Sequence, residues 1–172
     1  MFNKFKPDFT FATYRDVTPE FLTEQGIKAV LSDIDNTLAP YEQAEPDENI
    51  VAWVNSLREN GIGLALISNN HADRVELFNK TLGLLAFPDA GKPGKKLMRK
   101  ALAALGADAS RAAMLGDQLF TDAYAGKRMG MRALIVPPIK DKTTLFFRFT
   151  RALEKPIMKS YLKEKAKLEG KK

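Results

Sequence analysis

The stretch Ile27-Lys28-Ala29-Val30-Leu31-Ser32-Asp33-Ile34-Asp35-Asn36-Thr37-Leu38 runs from an apolar segment straight into two carboxylates, and its reading decides the fold. The apolar part shows no alternation with polar residues, so it reads as a strand covered on both faces, the habit of parallel sheets flanked by helices. Four more runs follow: GIGLALIS from Gly61, LLAFP from Leu84, AAMLG from Ala112 and MRALIVP from Met131. Between them the apolar residues fall at helical spacing. Ile50, Val51, Val54 and Leu57 follow a start at Pro46 and Asp47 and end at Gly61; Val75, Phe78 and Leu82 precede Gly83. Pro93 opens a stretch with Leu97, Met98, Ala101 and Leu105 before Gly106, and Ala123, Tyr124 and Lys127 lead to Gly130. Four amphipathic segments, each followed by a glycine suited to a helix C-terminus, predict an α/β fold with a central parallel sheet.

A chain of 172 residues with 45% hydrophobic content can build one ordinary domain around a real core. We expect that domain over residues 1–139, with a lead-in of 1–26 in which TPEFLTEQG forms a short helix, and a tail over 140–172. The tail carries eleven Lys or Arg against four acids, so it more than accounts for the net charge of +6. It reads as one or two basic amphipathic helices broken near Pro156, with its last ten or so residues disordered. Cysteine is absent, which excludes disulfides and thiolate metal sites and fits a reducing, cytoplasmic location. The first residues, MFNKFKPDFTF, are too interrupted by charge for a secretory signal, and no run reaches the roughly 20 apolar residues that span a bilayer. The expectation is a soluble protein, peripheral to a membrane at most.

Polar signals stand just beyond the apolar runs, at the strand ends where open parallel sheets place their sites. They are Asp33 and Asp35 with Thr37, then Ser68-Asn69-Asn70, then Lys92 before Pro93, and Gly116-Asp117 with Asp122. Carboxylates at i and i+2 on an extended chain project to one side, so Asp33 and Asp35 can face one reacting group. One can attack while the other moves protons. Two acids facing a dianionic phosphate repel it unless a hard divalent cation lies between, for which Mg²⁺ is the natural choice. Ser68 offers a hydroxyl and Lys92 a fixed positive charge to an anionic group such as phosphate. Taken singly, each acid could be a helix cap or turn former, and Asn69 or Asn70 a cap for the next helix. His71 reads as a helix start and Trp53 as packing.

In order and chemistry, these four signals resemble motifs I to IV of the haloacid dehalogenase superfamily over residues 27–136. The resemblance implies a Rossmann-like three-layer α/β/α architecture and a phosphatase acting through a phospho-aspartyl enzyme. Asp33 would be the nucleophile and Asp35 the general acid and base. Asp33 and Asp117 would hold the metal by side chains, Asp35 would do so through its backbone carbonyl, and Asp122 would support them. Asp35 and Ser68 are 33 positions apart, and Ser68 and Lys92 are 24 apart, which leaves no room for a cap domain. An open site suits a bulky substrate. DIDNTL, the Gly116-Asp117-Gln118-x-x-Thr121-Asp122 segment and the basic tail are similar to YqeG-like members of subfamily IIIA, which are related to mitochondrial phosphatidylglycerophosphate phosphatases. That similarity implies phosphatidylglycerophosphate as leading substrate. Leu145, Phe146, Phe147, Phe149, Leu153, Ile157 and Met158, interleaved with Arg148, Arg151, Lys155 and Lys159, would either lie on an anionic membrane or pack on the domain. The alternatives are a soluble phosphatase of a protein, nucleotide or nucleic-acid phosphate, with the tail on an anionic macromolecule such as RNA, and a non-catalytic interaction module.

Overall fold

A computed structural model describes residues 3–140 and 144–169, apart from the side chains of Phe146 and Glu169. Six parallel strands form one sheet in the order β1-β6-β5-β2-β3-β4. They are β1 (Phe9–Thr10), β2 (Ala29–Ser32), β3 (Gly63–Ile67), β4 (Leu85–Phe87), β5 (Ala112–Gly116) and β6 (Arg132–Ile135). β2, the strand read first in the sequence, lies between β3 and β5, with Val30 opposite Leu64 on one side and Ala113 on the other. The five strands read from the sequence are all present.

The helices are α1 (Pro19–Glu24), α2 (Glu48–Glu59), α3 (Ala72–Asn79), α4 (Lys96–Ala104), α5 (Tyr124–Met129) and α6 (Leu145–Glu169). Strand alternation distributes the core. Val30, Leu64, Leu66, Ala113 and Leu115 point to one face, where Ile50, Trp53, Leu57, Val75 and Phe78 of α2 and α3 cover them. Ala29, Leu31, Ala65, Ile67, Ala112 and Met114 point to the other, beneath Met98 and Ala101 of α4 and Ala125 of α5. This is the three-layer α/β/α arrangement, and no further domain is inserted between its strands. Trp53 is packing: its indole nitrogen donates to the Val17 carbonyl at 2.9 Å.

Local chemistry sets the helix ends. Asp47 caps α2 by accepting from Ile50 N–H at 2.9 Å, and Thr18 does the same for α1 from Phe21 at 3.2 Å. Gly130 takes the left-handed conformation that ends α5. Three local expectations need correction, and one strand was not foreseen. Pro93 does not open α4, which starts at Lys96 behind a turn closed by Gly94 N–H on Gly91 O. β1 was not read from the sequence, because two residues are too short to show a period; it joins the edge of the sheet through Phe9 opposite Leu134. α6 runs unbroken through Pro156. Ala152, whose carbonyl Pro156 cannot reach, and Pro156 itself both lie on the exposed side of the helix, where water can take that carbonyl's bond. The same helix continues to Glu169 where disorder was expected; residues 141–143 and 170–172 of the tail lie outside the described residues. One side of α6 buries Glu154, Ile157 and Tyr161, while Leu145, Phe149, Leu153, Leu162 and Leu168 stay exposed on the other.

Candidate active site

The strand ends carry the site. Immediately after β2 the chain turns at Asn36, whose φ of 64° is left-handed and suits asparagine among non-glycine residues. The Ile34 carbonyl accepts from the N–H groups of Thr37, Leu38 and Ala39, so the turn is tightly wound and holds Asp33 and Asp35 at its start. Both are buried in a cavity of about 370 Å³, whose lining also includes Ser68, Asn70, Lys92 and Asp122.

Lys92 is the centre of this cluster. Its ammonium, almost wholly buried, donates to Asp33 Oδ1 at 2.8 Å and to Asp122 Oδ1 at 2.7 Å. Burial pulls the lysine towards neutrality, but Asp122 and Asp33 together hold it above its ordinary range, so it stays charged. Its backbone is fixed as well: Lys92 N–H donates to Asn69 Oδ1 at 2.7 Å, and the Asn69 amide returns a bond to the Lys92 carbonyl at 3.2 Å. Asn69 therefore clamps the lysine loop and does not cap α3, contrary to expectation. Asn70 does not cap it either. The residue before α3 is His71, which makes no side-chain cap and pairs with Asp89. Asn70 spends its amide on Asp35 Oδ2 at 3.0 Å, and its N–H donates to Ser68 Oγ at 3.0 Å. The Ser68 hydroxyl keeps its own proton for donation.

Asp117 and Asp122 come from the other side of β2. Asp122 Oδ2 accepts from Gln118 N–H at 3.1 Å, while Lys92 holds its other oxygen. This carboxylate lies over Gly116, where a Cβ would overlap it; only glycine leaves the room. Burial pushes the Asp33 carboxyl up to about 6, with Lys92 opposing and Asp122 and Asp35 adding to the rise. Burial likewise pushes Asp117 up to about 7, with Asp122 and Asp33 adding and Arg151 opposing. Both shifts report crowded negative charge in a poorly hydrated place.

Carboxylate oxygens of Asp33, Asp117 and Asp122 lie within 4.8 Å of one another. Asp117 Oδ1 is buried without any hydrogen-bond partner. An orphaned carboxylate oxygen beside two other acids fits a hard divalent cation, which binds oxygen ligands and would relieve the crowding. Asp122, with both oxygens already engaged, is better suited to holding Lys92 than to ligation. Of the acids, serine and lysine read as site residues, Asp33, Asp35, Ser68, Lys92 and Asp122 line one cavity, and Asp117 clusters with Asp33 and Asp122. Three charged groups nearby were not anticipated in these positions. Arg74 of α3 donates to Asp35 Oδ1 at 3.2 Å, Arg151 of α6 pairs with Asp117, and Glu154 accepts from Leu119 N–H. A signal for the last existed: Glu154, Ile157 and Tyr161 share one helical stripe, so the acid sits where an apolar residue belongs.

A family profile described as haloacid dehalogenase-like hydrolase matches residues 11–130. The chain is 32% identical over 165 residues to the probable phosphatase YqeG of Bacillus subtilis (strain 168), an alignment spanning 96% of this chain and 95% of that protein. Among solved structures, an uncharacterized protein from Listeria monocytogenes serotype 4b superposes with a TM-score of 0.53 at 18% identity, covering 69% of this chain and 85% of that one. A hypothetical protein from Xanthomonas campestris gives 0.52 at 15% identity, covering 74% and 73%. These two share the fold. With the profile match and the full-length relative, they place the chain among the haloacid dehalogenase-like hydrolases. Within that family it is a phosphatase.

Proposed function

We propose that this phosphatase is a Mg²⁺-dependent phosphomonoester hydrolase that works through a phospho-aspartyl intermediate on Asp33, with phosphatidylglycerophosphate as its leading substrate. The observation that carries the reading is the buried Lys92 ammonium bonded to both Asp33 and Asp122 in a cavity shared with Asp35 and Ser68. The Asp33 carboxylate attacks phosphorus and the bond to the leaving oxygen breaks. Asp35, oriented by Asn70 and Arg74, gives that oxygen a proton and then takes one from the water that hydrolyses the acyl phosphate. Lys92 and the Ser68 hydroxyl bind the equatorial oxygens, where transition-state charge gathers. Asp33 and Asp117, with the Asp35 carbonyl, would hold the cation, and Asp122 fixes Lys92. When bound, Mg²⁺ supplies positive charge that offsets the repulsion between carboxylates and phosphate.

Two features support a bulky lipid ester. The cavity is open, with Tyr41, His71 and Phe147 at its lining and no inserted domain to enclose a small substrate. Beside it, α6 exposes Leu145, Phe149, Leu153, Leu162 and Leu168 among basic residues such as Arg148, Lys159 and Lys163, a combination suited to an anionic lipid surface. No helix among the described residues is long and apolar enough to cross a membrane, so contact with lipid would be peripheral. The division into a phosphatase domain over 1–139 and a lipid-directed tail over 140–172 belongs to the same reading.

The test is phosphate release from lipid, nucleotide, sugar and peptide monoesters, with and without EDTA. Phosphatidylglycerophosphate in mixed micelles should outrun sugar phosphates, and EDTA should abolish turnover. Faster turnover of small sugar phosphates would refute the open-site reading. Preference for a nucleotide or peptide, with salt-sensitive affinity for RNA and none for anionic liposomes, would favour a soluble phosphatase instead.

A further inference from the structure

Glu154 lies on the buried stripe of α6, only 4% exposed. A carboxylate in such a place is costly unless its oxygens are satisfied, and these are. Oε1 accepts from Leu119 N–H at 2.8 Å and Oε2 from Arg151 Nη1 at 2.8 Å. Arg151, three residues earlier on the same helix, also donates Nη1 to the Asp117 carbonyl at 2.7 Å and Nη2 to Asp117 Oδ2 at 2.5 Å. Two residues of α6 thus grip the loop at both ends of Asp117-Gln118-Leu119. Held this way, Asp117 has one oxygen on the guanidinium and the other, Oδ1, buried and unpartnered in the cluster with Asp33 and Asp122.

We propose that Arg151 and Glu154 are positioning residues of the cation site: Arg151 fixes the Asp117 carboxylate so that Oδ1 is left for a divalent cation, and Glu154 holds Arg151 in place. The inference rests on reading Asp117 as a cation ligand. The geometry separates positioning from competition. An arginine occupying the cation's place would bridge the three carboxylates, whereas Arg151 bonds Asp117 alone among them and leaves one of its oxygens open. Among the described residues the three carboxylates pair with two cations, Lys92 and Arg151, so negative charge remains for a divalent ion to neutralise.

Isothermal calorimetry of Mg²⁺ binding to the full chain tests this, with Arg151→Met, Glu154→Gln and Asp117→Asn beside the wild type. Removing the partner of a metal-ligating group typically weakens affinity by roughly 10- to 100-fold, and that loss is expected for Arg151→Met. Glu154→Gln should weaken binding by less, because glutamine still accepts from Leu119 N–H but no longer holds the guanidinium by charge. Raising Mg²⁺ should restore turnover in both. Unchanged or tighter binding in Arg151→Met overturns the proposal, as does a turnover loss that no Mg²⁺ concentration relieves. Should Arg151→Met fail to fold, as judged by circular dichroism, Glu154→Gln decides by the same sign. Wild-type affinity in Asp117→Asn would bring down the cation site itself, whereas loss there with an unaffected Arg151→Met sinks only the role of α6.

Discussion

Asp33 and Asp35 leave the same strand two residues apart, share one cavity and have the same side chain, yet the fold surrounds them differently. Asp33 meets a buried ammonium and lies near two more acids, Asp117 and Asp122, and burial lifts its carboxyl to about 6. Asp35 lies to the side, held by the Asn70 amide on one oxygen and by Arg74, 15% exposed, on the other. The partners of the first come from the β4–α4 loop and the segment after β5; those of the second come from the start of α3. Spacing along a strand decides which side two carboxylates face, and residues distant in sequence decide which attacks and which carries protons.

Exchanging each acid for its amide should break this comparison most sharply. Asp33→Asn should lower turnover by roughly 10⁴-fold or more and abolish acid-stable labelling of the enzyme by substrate phosphate, because no nucleophile remains. Asp35→Asn should lower it by about 10²- to 10⁴-fold. The second loss should shrink for p-nitrophenyl phosphate, whose leaving group needs no proton; an equal loss on that ester would deny Asp35 the acid role. Next in size is Lys92→Met, which leaves Asp33 and Asp122 buried without their cation. Removing one member of a buried ion pair costs about 3–5 kcal/mol, so denaturant unfolding without added divalent ions should show a loss of that order. An unaltered midpoint would mean that the lysine is dispensable to the cluster. Least severe is Arg74→Met. Because Asn70 still holds Asp35, turnover should fall by about 10-fold, again less on the nitrophenyl ester. A fall independent of the leaving group would separate Arg74 from Asp35.

The same comparison indicates what could be read beforehand. The strands, the glycine-ended helices and the four clusters of polar residues at strand ends announce themselves through local period and spacing; Asp33, Asp35, Ser68, Lys92 and Asp122 do line one cavity, and Asp117 joins Asp33 and Asp122 in a cluster of acids. What escaped was long-range pairing. Arg74 looks like any exposed helix arginine until α3 is laid against the β2 turn, and Arg151 looks like one basic residue in a basic tail until α6 folds back across 34 positions onto Asp117. β1 escaped because two residues carry no period, and Asn69 misled because an amide before a helix is usually its cap.

Gly116 gives a last consequence. The hydrogen it presents in place of a methyl group is what allows the Asp122 carboxylate to settle over the end of β5 and reach Lys92. Transplanting the four acids and the lysine onto another parallel sheet would therefore fail wherever the recipient strand ended in alanine, since the smallest side chain already fills the seat that the reaction centre needs. At this strand end the design rule is written in missing atoms as much as in charged ones.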